Sequence, residues 1–332
     1  MSDLYPSNSV PIKIVLSEKY GRFAQSSTLN VEINSNVRTD APVSVIAQKD
    51  EAEIVPDIAV ASLTAEVDKD IPLNNTKNPN KYALIIGNED YTSKQPGLSS
   101  ESNVAFAVND ARIFKEYALK TMGIPEQNIT LLTDATAGQM KQEIVRYTKI
   151  IEGLKGKAEF VFYYAGHGLP DEASRTPYIM PTDVSFSNLT DAIDLIDFYK
   201  KISTANPAKA TIYLDACFSG GGRDAGLYAA VGARAVKIKP KTEEIIGNIV
   251  VFAATSEDQS ALPYKDKKHG MFTYHILKAL QEHKGDITYG QLEDFLTEKV
   301  NVTSLTINRK EQNPSILTGT SARENWEGWK VK

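Results

Sequence analysis

Two runs of strand-forming residues, Phe160-Val161-Phe162-Tyr163 and Thr211-Ile212-Tyr213-Leu214, each lead within a few positions to a chemically active side chain close to glycine. The first continues through Tyr164-Ala165-Gly166 to His167-Gly168, the second through Asp215-Ala216 to Cys217-Phe218-Ser219-Gly220. Short apolar strands with no polar alternation belong inside a sheet covered on both faces. In such open sheets chemistry collects just beyond the carboxyl ends of the strands. His167 and Cys217, 50 positions apart, are therefore expected on one rim.

The pattern extends along most of the chain. From Lys81 onward, strand-like segments at 82–86, 129–132, 160–164, 210–214 and 249–253 alternate with helical stretches at 103–121, 138–154 and 189–203. Two more helices are expected at 271–283 and 288–300, and a last strand at 315–317. This alternation predicts an α/β fold, a mostly parallel central sheet flanked by helices, over residues 81–320. Residues 1–70 differ: period-2 stretches at 11–16, 29–33, 43–46 and 58–63 sit among Ser, Asn, Asp and Pro, the pattern of a small β-rich module. The polar stretch 71–80, with two prolines, reads as a linker, and 321–332 as a tail.

Composition narrows the functional classes. The 332 residues, 42% apolar and 24% charged, suffice for a sizeable core. A net charge of −5 gives no reason to expect nucleic acid or an anionic membrane as partner. No segment approaches the roughly 18 continuous apolar residues of a membrane span. The first residues, Met1-Ser2-Asp3-Leu4-Tyr5-Pro6, lack the basic and apolar regions of a signal peptide, which leaves localisation open between the cytoplasm, the default, and an extracytoplasmic site if a leader precedes this sequence. One cysteine excludes an internal disulfide and a thiolate metal cluster. The four histidines, 167, 269, 275 and 283, lack metal-ligand spacing, and no catalytic metal is expected. His275 and His283 read as helix surface or packing residues.

A free cysteine titrates near pH 8.5, so about a few per cent is thiolate at neutral pH. A neighbouring imidazole that takes the proton raises the rate by roughly 10² to 10⁴. Glycines at 166 and 168 let backbone approach a substrate closely, and the N–H groups of Gly168 and Cys217 are placed to bind a developing oxyanion. In other systems such a donor contributes about 3–4 kcal/mol. The plainer alternative is a buried cysteine and a loop histidine held by a hydrogen bond. The paired strand-end setting favours a nucleophile and its proton acceptor.

These motifs resemble a known family. Tyr82-Ala-Leu-Ile-Ile-Gly-Asn88, Val108-Asn-Asp-Ala111, Tyr164-Ala-Gly-His-Gly168, Leu214-Asp-Ala-Cys-Phe-Ser-Gly220, Ala253-Ala-Thr-Ser256 and His269-Gly-Met-Phe-Thr273 are similar to signatures of the caspase-like cysteine peptidases. The likeness is to the metacaspase or bacterial orthocaspase branch. It covers about 81–319 and includes the caspase spacing of about 50 residues between His and Cys. The caspase Gln-Ala-Cys pentapeptide is absent; Asp215-Ala-Cys-Phe-Ser219 stands in its place. The resemblance implies a caspase–haemoglobinase fold, peptide-bond hydrolysis through a thioester, a His167/Cys217 dyad and a monomer.

True caspases cut after aspartate and use arginines in the primary pocket, yet no arginine lies between Asn88 and Asp110. Asp110 and Asp215 instead occupy positions that, by resemblance to metacaspases, form the acidic floor of that pocket. Asp215 is two residues before Cys217, a spacing that returns to the same face of a strand. Two carboxylates hold a guanidinium or ammonium and repel an acid. Cleavage of protein or peptide substrates after Arg or Lys is therefore expected. The plainer roles are an acceptor for loop amides for Asp215 and an early-helix acid for Asp110. Metacaspases carry serine where Ala165 stands, which removes one pocket contact. Glu257, Asp258 and Ser260 supply either a pocket wall or a solvated turn.

Between Gly220 and Gly247 runs a loop with Arg223, Arg234, Lys237, Lys239 and Lys241. Exposed loops are where nicking concentrates, so these are candidate self-cleavage positions, the alternative being an uncut basic loop. The N-terminal module reads as either an inhibitory pro-segment or an attachment domain. Asp183, Asp191, Asp194 and Asp197 are carboxylates of the type calcium prefers. Regulatory calcium follows from the resemblance, a solvated acidic helix face from the residues themselves. Competing readings of the whole are a relative with another cleavage preference, of clostripain, gingipain or legumain type, and a catalytically silent scaffold.

Overall fold

The computed structural model describes residues 64–218, 244–256 and 259–332 with their side chains, and two N-terminal strands by backbone alone. Those strands, β1 (Ser9–Ser17) and β2 (Ala24–Glu32), pair antiparallel with Ser9 opposite Glu32. They belong to a unit spanning Met1–Ile58; Ala59–Lys332 forms a second unit. The strands expected at 43–46 and 58–63 lie outside the described residues.

In the second unit the chain runs β3 (Lys81–Gly87), α1 (Ala107–Lys120), β4 (Ile129–Thr133), α2 (Ala137–Gly153), β5 (Glu159–Ala165), β6 (Gly168–Pro170), β7 (Pro177–Ile179) and β8 (Ile193–Asp194). It continues α3 (Leu195–Thr204), β9 (Lys209–Asp215), β10 (Ile249–Ala253), β11 (Pro263–Tyr264), β12 (His269–Gly270), α4 (Met271–Glu282), α5 (Tyr289–Thr303) and β13 (Ser315–Thr318). Six strands form the main sheet in the order β13-β10-β9-β5-β3-β4. All neighbours are parallel except β13, which pairs antiparallel with β10. The expected mostly parallel α/β sheet is present.

Strand alternation sorts side chains into two cores, one on each face. Ala83, Ile85, Val161 and Tyr163 pack with Phe114 of α1, Leu277 of α4 and Leu292 of α5. Leu84, Ile86, Phe160 and Phe162 pack with Ile144 of α2 and Phe198 of α3. Burial on both faces is why these strands read as continuous apolar runs.

Three local differences from the sequence expectation have physical causes. The helix expected from 103 starts at Ala107, because the Asn103 side chain accepts the N–H groups of Tyr91 and Thr92 at 3.0 and 3.1 Å, and Phe106 turns left-handed at φ 71°. The helix expected at 189–203 starts at Leu195, capped by Asp194, which accepts from Ile196 and Asp197 N–H. Finally, residues 64–80 and 321–332, expected as a module end, a linker and a tail, contribute side chains to the core. Ala65, Val67, Ala322, Trp326 and Val331 are buried in the core beside α1, α4 and α5. Polar side chains tie these segments down, as where Thr121 Oγ1 donates to Pro72 O at 2.7 Å. Among the described residues no helix is long and apolar enough to cross a membrane.

Candidate active site

Strands β5 and β9 are adjacent and parallel, with Ala165 opposite Asp215. Both chains thus leave the sheet at the same height, and His167 and Cys217 each lie two residues further on. Gly166 N–H donates to Asp215 O at 3.3 Å across the gap. The approach then tightens. A β-carbon on Gly168 would meet the Phe218 ring at 2.6 Å and Cys217 O at 2.7 Å, so only glycine fits. His167 and Cys217 share one rim.

The imidazole of His167 is buried and oriented. Its Nε2 lies 2.7 Å from Ser102 O. A carbonyl only accepts, so Nε2 carries the hydrogen and, in the neutral ring, Nδ1 is the basic nitrogen. The ring lies 4.7 Å from that of Tyr91 and meets Phe186 edge-on at 5.2 Å. The Tyr91 hydroxyl accepts from His167 N–H at 3.0 Å, and the Tyr164 hydroxyl donates to His167 O at 2.7 Å. Burial raises both phenols above their ordinary range, which keeps them as hydroxyls. Met180 N–H donates to His167 O at 3.0 Å, anchoring the start of the β6–β7 ladder.

Cys217 is also buried. Ala261 N–H donates to its Sγ at 2.7 Å, and Ala261 O lies 3.7 Å from the sulfur. A backbone donor aimed at sulfur is what a negatively charged thiolate needs. Ser260, half-buried, is the residue next to Ala261. Glu257 and Asp258 lie outside the described residues, as do Arg223, Arg234, Lys237, Lys239 and Lys241.

The two aspartates singled out from the sequence are fully buried and meet on one helix turn. Asp215 Oδ2 accepts from Thr273 N–H at 3.2 Å and from Thr273 Oγ1 at 2.6 Å. The same hydroxyl lies 2.6 Å from that of Tyr163 on β5. Asp110, on α1, accepts from Gly270 N–H at 2.9 Å and from His269 Nδ1 at 2.7 Å. Gly270 is the N-cap of α4 and Thr273 its third residue. Both carboxylates therefore rest on N–H groups of a helix start, where unsatisfied donors and the helix dipole favour negative charge.

His269 also bonds Asp68, its Nε2 2.8 Å from Asp68 Oδ1. Burial opposes its charge, yet the bonds to Asp110 and Asp68 outweigh it and raise its pKa to about 9. His275 behaves in the opposite way: burial, helped by Lys299, lowers it to about 4.

The four aspartates weighed for calcium have separate duties. Asp183 accepts from Ala137 N–H at the start of α2, Asp191 pairs with Lys141, Asp194 caps α3 and Asp197 pairs with Lys201. Among the described residues no group of three His, Cys, Asp or Glu is placed to hold a metal.

Sequence reasoning missed Ser102, Tyr91, Ala261 and Asp68. Ser102 and Ala261 act through backbone, which leaves no trace in residue identity. Tyr91 and Asp68 reach the site across 76 and 201 positions. No local pattern marks such contacts.

Comparison with known proteins bears on the fold and the family. A Geobacter sulfurreducens protein of known structure matches at 18% identity and TM-score 0.50, covering 73% of this chain and 94% of that one. Caspase-1 from Spodoptera frugiperda matches at 13% identity and TM-score 0.50, covering 75% of this chain and 93% of that one. At such identities the likeness is one of fold. No curated protein matches by sequence. Residues 80–325 match the caspase domain, and with the match spanning well over half of its length, the chain belongs to the caspase-domain family.

Proposed function

We propose that this chain is a cysteine endopeptidase that cleaves peptide bonds after Arg or Lys, with Cys217 as nucleophile and His167 as its proton acceptor. The observation that carries the reading is the register of Ala165 with Asp215, which delivers thiol and imidazole to one rim. Membership of the caspase-domain family is consistent with a cysteine peptidase.

The steps follow from the groups present. Nδ1 of His167 takes the thiol proton while Ser102 O holds the opposite edge of the ring. The thiolate attacks the scissile carbonyl carbon, and the N–H groups of Gly168 and Cys217 receive the oxyanion. Collapse breaks the C–N bond, His167 returns the proton to the leaving amine, and a thioester remains. His167 then removes a proton from water, hydroxide displaces sulfur, and the acid product and thiol are restored. Asp110 and Asp215 attract the cationic side chain before the cut bond. Ser260, next to Ala261, extends that wall. The basic loop, at Arg223, Arg234, Lys237, Lys239 or Lys241, is then a tethered substrate for self-cleavage.

The test is cleavage of a peptide library by wild type beside Cys217→Ala. The expected result is cutting confined to Arg and Lys, lost by three orders of magnitude or more in the variant, as a missing covalent nucleophile requires. Cutting after Asn or Asp would replace the pocket assignment. Equal activity in the two proteins would remove the nucleophile.

A further inference from the structure

Asp68 lies ahead of the sheet and outside residues 80–325, the part matched to the caspase domain. Its position is nevertheless fixed by the domain. Val67 is fully buried, and its carbonyl accepts from Tyr117 Oη of α1 at 2.8 Å. Gln281 of α4 donates to Glu66 O at 3.0 Å and to Lys69 O at 2.8 Å. The Glu66 carboxylate binds Lys267 at 2.8 Å and the Tyr274 hydroxyl. Asp68 Oδ2 accepts from Ala65 N–H at 3.1 Å, which turns Oδ1 toward His269.

His269 then spans two carboxylates, Asp68 Oδ1 on Nε2 and Asp110 Oδ1 on Nδ1, at 2.8 and 2.7 Å. Ionised carboxylates only accept, so both ring nitrogens must donate and the ring is an imidazolium. We propose that Asp68 and His269 are positioning residues for Asp110, fixing the direction and the charge of that carboxylate in the primary pocket. This rests on the reading of Asp110 as a pocket acid.

The charge argument is simple. A lone imidazolium beside Asp110 would cancel the attraction that a basic substrate needs. The second carboxylate brings Asp68, His269 and Asp110 together to a net charge of −1. The other ionisable groups around the ring are Tyr264 on the paired strand, Tyr274 on α4, and, one step further, Glu66 and Lys267. None of them contacts a nitrogen of the ring in place of the two aspartates. The imidazolium persists below a pKa of about 9 and is lost above it. A neutral ring can donate from one nitrogen only, so Asp110 or Asp68 then loses its bond, and for substrate binding the lost direction of Asp110 outweighs the one extra negative charge left on the group.

The experiment is steady-state kinetics of the full chain on an Arg-coumarin peptide, for wild type, Asp68→Asn and Asp68→Glu, from pH 6 to 10. In Asp68→Asn we expect KM to rise about fivefold to tenfold with kcat within about twofold, the loss of one charge-assisted contact made to substrate indirectly. In wild type KM should climb only above about pH 9; in Asp68→Asn that climb should begin about a unit or more lower. Asp68→Glu should restore part of both. Should Asp68→Asn not fold, an NMR titration of His269 in full-length Cys217→Ala decides, with the ring expected charged at pH 7.5. A ring found neutral there, or an unchanged KM and alkaline limb in Asp68→Asn, overturns the pairing while Arg cleavage by wild type stands. Wild type that cuts other bonds but not those after Arg or Lys overturns the pocket reading, and the pairing with it.

Discussion

At their amino ends β3, β5 and β9 carry Lys81, Glu159 and Lys209 in direct register; at their carboxyl ends the same three strands stop at Gly87, Ala165 and Asp215. The amino end is closed. Glu159 lies between two lysines, 3.7 Å from Lys81 and 3.1 Å from Lys209. The lysines also donate to backbone carbonyls of the C-terminal segment, Lys81 to Val331 O and Lys209 to Lys330 O. The carboxyl end is built differently. Its small residues let neighbouring segments touch, and its carboxylates rest on helix amides rather than on lysines. Charge at one end is balanced by lysines, while at the other it rests on the amides that open α4 and, for Asp110, on His269.

The largest test of that contrast is Glu159→Ala. Lys81 is almost wholly buried, and burial, with the nearby Lys209, already lowers it to about 8. Removing the carboxylate leaves two ammonium groups with each other. Breaking a buried pair in this way costs about 3–5 kcal/mol, and the partial exposure of Glu159 places the expectation at about 3. Urea denaturation measures it, and under the proposed function kcat/KM of the folded protein should stay within about twofold of wild type. A tenfold loss of activity at equal folded fraction would mean that the two ends are not separate.

How much of this contrast is legible in the sequence depends on range. The strands are legible because each is a short apolar run buried on both faces, and the rim follows from where those runs stop. Asp110 and Asp215 stand out by motif, but their meeting on Gly270 and Thr273 comes from the packing of α4 against α1 and β9. Residues 71–80 look like a linker because prolines and asparagines also mark turns that dock. There the docking comes from side chains such as Thr121, some 50 positions away. The start of α1 is misread for a related reason: apolar spacing continues back to Val104, while Asn103 is engaged with the 91–92 turn. That early stop matters chemically, since it leaves Ser102 O facing His167.

A smaller effect sharpens the picture around α4, where two buried histidines, His269 on β12 and His275 on α4, differ in charge, the first cationic and the second neutral. His275 is kept neutral, and its lowered pKa of about 4 lies below the ordinary 6.5. Between those values the unfolded chain binds a proton that the folded one refuses. Its contribution is therefore complete above about pH 6.5 and lost as pH falls toward 4. The full shift corresponds to on the order of 3 kcal/mol, of which about 2 is expected after relaxation. Urea midpoints measured from pH 7 to 4 should fall, and His275→Gln should flatten that part of the slope. An unchanged slope in the variant would assign acid sensitivity to carboxylates such as Glu66, which is held at about 2 by its bonds to Lys267 and Tyr274 despite burial.

The smallest expected effect concerns Tyr91, which belongs to the carboxyl end yet touches no reacting atom. Its hydroxyl accepts from His167 N–H and donates to Met180 O at 3.1 Å, while its ring supports the imidazole. Tyr91→Phe keeps the ring and removes the hydroxyl, leaving a buried N–H without that acceptor. Such a loss costs about 1 kcal/mol. If the hydroxyl only stabilises the fold, the cost appears in the urea midpoint and kcat is untouched. If it sets the height of His167 over the rim, kcat falls about fivefold with KM unchanged, because in the proposed mechanism the imidazole acts in the chemical step rather than in substrate binding. The second outcome is expected, since the ring and the His167 backbone are both held from the Tyr91 side. Kinetics and denaturation on the same preparation separate the two, and a raised KM at constant kcat would instead connect Tyr91 to Asp110 and Asp215, the aspartates held at the start of α4.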